Sequence, residues 1–340
     1  MLRFAIIGYG HIGTRHAEII TQNPHCELVA VCDVLPKEEL GLGSSNFPFF
    51  SSCAELLHAN IAIDVVCVCT PNALHCEQAI MALQTGKHVV VEKPLALTTH
   101  DAECIIAAAE RAERKVFCVM QNRYSPPAQW LKSVIDRNLL GDIFMAQIQC
   151  FWNRDERYYS KGAWHGRADL DGGTLFTQFS HFVDMLYWLF GDITNISARF
   201  ADFNHAKLTD FEDSGVVTFD FVRGGMGSLS YSTAVWNKNF EISLTVIGAR
   251  GTVKINGEYM NEVAYCHIEN YEMPQLPIAN PPNNYGIYKG SAQNHGYVIE
   301  NVVQTLLHAA PIATPACEGR MVVNIIERMY AQKSSLNSEL

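Results

Sequence analysis

Leu2-Arg3-Phe4-Ala5-Ile6-Ile7-Gly8-Tyr9-Gly10-His11-Ile12-Gly13 is the stretch that decides the first half of the fold. A short apolar run ends on G-x-G-x-x-G. A helical pattern over residues 14–23 follows and is closed by Pro24, and a second apolar run, Leu28 to Cys32, ends at Asp33. Each glycine has its own part in such a turn. Gly8 permits the tight bend, Gly10 lets the backbone approach a pyrophosphate, and Gly13 lets helix and strand pack closely. The helix N-terminus that follows, with His11 and Ile12 in the turn before it, offers N–H groups and a partial positive charge to phosphates. Asp33 can accept hydrogen bonds from both hydroxyls of an adenosine ribose and would repel a 2′-phosphate, so the expected cofactor is NAD rather than NADP. The competing reading is an ordinary strand–turn–helix that holds no ligand.

Outward from this stretch the strand–helix rhythm continues. Ile63 to Cys69 is a continuous apolar run, as in a strand buried on both faces. A helix over 72–85 stops at Gly86, Lys87 to Val91 gives the next strand, and Thr98 with Asp101 opens an alanine-rich helix to about Arg114. Val116 to Met120 is a further strand. The rhythm predicts a doubly wound parallel sheet, a Rossmann-type α/β domain over 1–121. After Gln121 it changes. Ser125-Pro126-Pro127 starts a helix, Ile143 to Trp152 reads as an antiparallel strand, and Thr174 to Phe190 reads as one helix ended by Gly191. From there to about His267 the chain reads as successive strands. Phe240, Ile242, Leu244 and Val246 alternate with polar residues, as in a sheet with one covered face. The expectation for 122–340 is an α+β domain with a large open, mainly antiparallel sheet, serving substrate binding and oligomerisation.

Composition narrows the function. With 340 residues, 48% hydrophobic and 18% charged, the chain has ample core for two domains. The formal net charge of −10 is the wrong sign for a protein that works by neutralising phosphates, so no nucleic-acid partner is expected. No apolar run approaches the ~20 residues of a membrane span, and the apolar core at the N-terminus is short for a signal peptide. The eleven cysteines contain no C-x-x-C pair, which fits free thiols in a reducing cytoplasm better than disulfides or a metal centre.

Two groups could carry chemistry. Thr70-Pro71-Asn72 and Glu92-Lys93-Pro94 each follow a strand at the carboxyl edge of the sheet, where open α/β sheets bind ligands. The Lys93 ammonium could stabilise negative charge developing on a substrate hydroxyl. Taken alone, the tripeptide also fits a surface ion pair, and Asn72 a helix cap. In Gly172-Gly173-Thr174-Leu175-Phe176-Thr177-Gln178-Phe179-Ser180-His181-Phe182-Val183-Asp184, a continuous helix would place Thr177, His181 and Asp184 on one stripe. His181 could act as general base, Asp184 could orient its imidazole, and Thr177 could touch substrate or cofactor. A buried structural histidine is the alternative.

Together, Gly8-x-Gly10-x-x-Gly13, Thr70-Pro71-Asn72-x-x-His75, Glu92-Lys93-Pro94 and Gly172-Gly173…His181-x-x-Asp184 resemble, in order and spacing, the glucose–fructose oxidoreductase / inositol dehydrogenase (GFO/IDH/MocA) family over essentially the whole chain. The resemblance implies NAD(P)-linked oxidation or reduction of a sugar or polyol carbon, with Lys93 and His181 as the catalytic pair. It adds His75, Glu92, Gln121 and Trp164 to the cofactor side, and Tyr124 and Gln178 to the substrate side. Polyol-oxidising members usually have aspartate where Thr177 stands. Thr177-Gln178, the stretch from Asn153-Arg154 through Trp164-His165-Gly166, and Asn283 to His295 are more similar to UDP-N-acetylglucosaminuronate 3-dehydrogenases of surface-polysaccharide synthesis.

The residues themselves add a local basic excess: Arg154, Arg157, Lys161 and Arg167 lie within 153–167, with Arg123 near the domain junction. Guanidinium forks suit diphosphate and carboxylate oxygens, and Tyr158, Tyr159 and Trp164 could stack on a base or flank the nicotinamide. Exposed ion pairs with Asp155 and Glu156 are the equal alternative. The alternative functions are a free-sugar or cyclitol dehydrogenase, a glycosidase that uses NAD transiently, and a dinucleotide-binding sensor. The expected partner is a small molecule, with a homodimer or homotetramer formed through the second sheet.

Overall fold

The computed structural model describes residues 1–43, 45, 47–160, 164–286 and 288–335. It divides into two compact units, one of residues 1–120 with 295–323, the other of 121–294 with 324–340. Residues 295–323, grouped by sequence with the second domain, thus belong to the first unit.

In the first unit the chain runs β1 (Leu2–Ile7), α1 (His11–Gln22), β2 (Cys26–Cys32), β3 (Phe49–Phe50), α2 (Cys53–His58), β4 (Val65–Val68), α3 (His75–Gln84), β5 (His88–Val91), α4 (Thr99–Ala112) and β6 (Val116–Cys118). The sheet order is β3-β2-β1-β4-β5-β6 and every pairing is parallel. That is the doubly wound order, in which a crevice opens at the carboxyl ends of the strands where the order reverses. All of β4 is buried, which explains why its sequence is an unbroken apolar run. Thr98 caps α4 by accepting from the Asp101 amide at 3.0 Å. The outer edge of β6 is closed from far along the chain: the Cys118 amide donates to the Thr314 carbonyl, and Phe117 bridges Pro315.

In the second unit α5 (Pro126–Asp136) precedes β7 (Ile143–Phe151). The short helices α6 (Glu156–Tyr159), α7 (Ala168–Asp171) and α8 (Thr174–Thr177) then lead to α9 (Ser180–Phe190). Strands β8 (Ile193–Ala201), β9 (Ser214–Phe221), β10 (Met226–Ser232), β11 (Glu241–Gly248), β12 (Gly251–Asn256) and β13 (Glu262–Ile268) complete a seven-stranded sheet ordered β13-β12-β11-β7-β10-β9-β8. The expected antiparallel strand β7 is antiparallel only to β11; it runs parallel to β10. Ile148, Leu229, Leu244 and Val246 are buried, as are Phe179 and Phe182 at the start of α9. Phe240, expected in this core, is 67% exposed just ahead of β11. A hairpin of β14 (Pro282–Asn284) and β15 (Lys289–Ala292) follows, then α10 (His295–His308) and α11 (Ala316–Tyr330). Among the described residues no helix is long and apolar enough to cross a membrane, and none of the cysteines is bonded to another.

Candidate active site

The glycine turn is built by contact distances. A Cβ on Gly13 would lie 1.9 Å from the Gly8 carbonyl oxygen, and one on Gly8, whose φ is +88°, would lie 2.7 Å from the Cys69 carbonyl oxygen. Both positions are closed to any side chain. A Cβ on Gly10, by contrast, would meet nothing within 4 Å. Protein packing does not require glycine there, whereas a pyrophosphate lying on the backbone would, so the turn fits the diphosphate of a dinucleotide. At the end of β2, Asp33 accepts from the Tyr9 amide at 2.6 Å and the Leu35 amide at 2.9 Å, which fixes its carboxylate beside the turn.

The loops after β4 and β5 lie at neighbouring strand ends. His75, the first residue of α3, reaches both: one ring nitrogen lies 2.7 Å from the Pro94 carbonyl and the other 2.9 Å from the Thr70 carbonyl. Thr70 also donates to Gln78 at 2.6 Å. The Lys93–Pro94 peptide is cis. Glu92 is buried, and its carboxylate meets His16 of α1 at 2.8 Å and His295 of α10 at 3.6 Å. Burial by itself raises the Glu92 carboxyl, but the His16 hydrogen bond and the neighbouring His295, His16 and Lys93 hold it down at about 2. Burial pushes His295 down to about 3. Sequence reading assigned no role to His16. Its signal was spacing, for it shares the buried face of α1 with Gly13, Ala17 and Ile20.

In the second unit the expected single helix over 174–190 is broken. α8 ends at Thr177, and Phe179, at φ −116° and ψ 6°, separates it from α9. Thr177, His181 and Asp184 therefore do not form one helical stripe. The interruption falls where Gln178 is drawn into a polar chain: Arg154 donates to its Oε1 at 2.6 Å, and its amide donates to the Tyr158 hydroxyl at 2.8 Å. Thr177 donates to the Asp171 carbonyl at 3.0 Å. His181 is buried, and the Gln121 amide reaches its Nε2 at 3.1 Å. In that arrangement Nε2 is the acceptor, the tautomer a general base requires. Asp184, expected to orient the imidazole, takes a two-pronged hydrogen bond from Arg123, at 2.8 and 2.5 Å. Arg123, expected to face an anionic ligand, thus has a buried carboxylate as partner, with Trp188 beside its guanidinium at 5.4 Å.

The basic loop splits into two kinds of arginine. Arg157 pairs with Asp155 at 2.6 Å, as the ion-pair reading expected, and Arg167 pairs at 2.6 Å with Asp169, which that reading did not name. Lys161 lies outside the described residues. Arg154 is different: it is fully buried and its hydrogen-bond acceptors are Gln178, Asn239 and the carbonyls of Asn153 and Lys289. Trp152, Tyr158 and Tyr288 surround its guanidinium at 4.9–5.2 Å. Burial pulls its pKa down, yet a guanidinium stays cationic, and among the described residues no carboxylate bonds to it. Tyr158 and Tyr159 are buried with their rings at 5.0 Å, and Trp164 lies 4.0 Å from His165. Tyr124 is half-buried, and burial lifts its hydroxyl to about 12.

One support of the His181 segment was not legible. Tyr330, near the end of the chain, accepts from the Leu175 amide at 2.9 Å and donates to buried Glu212 at 2.6 Å. Its hydroxyl would lie 2.6 Å from a Cβ on Gly173, whose φ is +121°, which explains the glycine there. Among the described residues no cluster of His, Cys, Asp or Glu is placed to hold a metal.

Residues 2–120 match the family model described as an oxidoreductase family with an NAD-binding Rossmann fold, and residues 128–254 match the GFO/IDH/MocA C-terminal domain. A solved structure of the WlbA dehydrogenase from Bordetella pertussis, in complex with NADH and UDP-GlcNAcA, is 30% identical with a TM-score of 0.85, covering 97% of this chain and 96% of that one. The D-glucoside 3-dehydrogenase of Escherichia coli is 26% identical, over 92% of this chain and 96% of its own length. The glucose-6-phosphate 3-dehydrogenase of Bacillus subtilis is 27% identical, over 84% of each. With its glycine turn, its doubly wound first unit and matches to both family models, this chain belongs to the GFO/IDH/MocA family as an NAD-dependent sugar oxidoreductase.

Proposed function

We propose that the protein oxidises a ring hydroxyl, at C3, of an anionic sugar, with a UDP-linked N-acetylated hexuronate as the preferred substrate. The observation that carries this reading is Arg154, a buried cation whose hydrogen-bond partners among the described residues are all neutral. An uncompensated charge in an aromatic cage is costly by itself and favours a ligand that brings negative charge. The relative that binds UDP-GlcNAcA supports the same substrate class. In this reading His181 takes the hydroxyl proton at Nε2, and the Lys93 ammonium stabilises the alkoxide. Bound NAD supplies the hydride acceptor, and Gly10 and Asp33 seat its diphosphate and ribose. The second sheet serves self-association, and the chain works in the cytoplasm.

A free-glucoside dehydrogenase is the second reading. The E. coli relative favours it, as do the exposed ion pairs that occupy Arg157 and Arg167. Following absorbance at 340 nm with NAD separates the two. UDP-N-acetylglucosaminuronate is expected to yield NADH with a higher kcat/KM than UDP-N-acetylglucosamine or methyl glucoside, and His181→Asn to lose about 10²–10⁴-fold in kcat. Turnover of methyl glucoside with no response to either UDP-sugar would reject the nucleotide-sugar assignment.

A further inference from the structure

We infer that His75 is a doubly protonated, buried ring that clamps together the loops following β4 and β5, and so acts as a positioning residue for Lys93. The ring has no exposed surface. Its two nitrogens lie 2.7 Å from the Pro94 carbonyl oxygen and 2.9 Å from the Thr70 carbonyl oxygen. A carbonyl oxygen accepts and cannot donate. A neutral ring carries one N–H, so its second nitrogen would set a lone pair against a carbonyl lone pair at hydrogen-bond distance, out of reach of water. Only the doubly protonated ring satisfies both contacts, and the hydrogen bonds it then makes are charge-assisted.

The charged groups that face the ring are the Glu92 carboxylate and the Lys93 ammonium. Burial is the largest influence and, with Lys93, lowers the ring's pKa, while the two carbonyls and Glu92 act the other way. The second proton is therefore demanded by the two carbonyl contacts and not by the titration. Glu92 is well suited to supply the countercharge, because its hydrogen bond with His16 keeps it ionised. His75 and Lys93 therefore both feel the field of one buried carboxylate. The consequence is mechanical: a single ring on α3 fixes Thr70-Pro71-Asn72 relative to Glu92-Lys93-Pro94, and the Pro94 carbonyl anchors the backbone that carries Lys93.

Two measurements test this, and the kinetic one alone rests on the reading that Lys93 stabilises the alkoxide. Neutron diffraction from crystals of the full chain exchanged into D2O near neutral pD is expected to show deuterons on both ring nitrogens of His75; a single deuteron overturns the imidazolium. That result needs no variant and holds whatever Lys93 does. His75→Gln keeps one donor and turns an amide oxygen on the other carbonyl. It is expected to lower kcat about tenfold or more, while KM for NAD changes far less and the folded protein retains its circular dichroism. Unchanged kcat in folded His75→Gln, or the same loss appearing in KM alone, would overturn the positioning role even if both deuterons are present.

Discussion

At the residue scale, the glycine turn separates two reasons for having no side chain. Gly13→Ala forces an overlap with the Gly8 carbonyl, so it is expected to lose stability at the upper end of about 1–3 kcal/mol or beyond, seen as a lower urea midpoint. Gly10→Ala has open space and an ordinary φ of −71°. It is expected to keep its stability within about 1 kcal/mol, yet to bind NAD roughly tenfold more weakly, a loss of about 1.4 kcal/mol. Equal destabilisation by the two substitutions would contradict this division. The Glu92 cluster carries the acid response. His295 stays neutral in the native state down to about 3, whereas the unfolded chain takes up that proton below its ordinary value near ~6.5. Its contribution is therefore complete above ~6.5 and falls as pH drops toward 3. Glu92, held at about 2, adds stability above the ordinary carboxylate value near ~4.3 that is lost as pH falls toward 2. Urea midpoints across pH 6.5 to 4.5 should therefore fall less steeply for His295→Gln than for the parent, a difference of up to about 1.4 kcal/mol per pH unit for one proton. Parallel slopes would remove His295 from the response.

At the scale of elements, the sequence carried what depends on neighbours and lost what depends on distance. The strands and helices of the first unit were legible because burial on both faces writes unbroken apolar runs, and because Gly8, Gly10, Gly13 and Pro24 mark turns locally. His181 and Lys93 were legible as residue types at strand and helix ends. Their supports were not. At the break in 174–190 Gln178 accepts a hydrogen bond from Arg154, 24 residues away, and Asp184 accepts from Arg123, 61 residues away. No helical periodicity encodes either contact. Tyr330 is further still, 155 residues from the Leu175 amide that it caps. Tyr330→Phe leaves that amide and one Glu212 oxygen without this partner. It is expected to cost about 1–3 kcal/mol in thermal or urea unfolding, and to lower kcat more than KM by loosening the segment before His181. A variant as stable as its parent would mean that water replaces the hydroxyl.

At the scale of the whole molecule, the outer face of the second sheet carries exposed apolar side chains. Met226, Met145 and Ile247 stand side by side across β10, β7 and β11 in register, and each is exposed. Their neighbours on that face, Ser228, Ser230, Gln147 and Thr245, are small or uncharged, which suits a flat contact with a second copy of the sheet. Light scattering is expected to give a dimer or tetramer, and Met145→Asp with Met226→Asp to give a monomer; a monomeric parent protein would refute self-association through this face. The edge of β6 has a different consequence, one of timing. Its hydrogen-bond partner, Thr314, leaves the ribosome almost two hundred residues after Cys118, and His295 reaches Glu92 equally late. During synthesis the parallel sheet therefore waits with one edge unpaired and one buried carboxylate half-surrounded. An unpaired strand edge invites edge-to-edge pairing, so that nascent intermediate is expected to aggregate more readily than the finished fold.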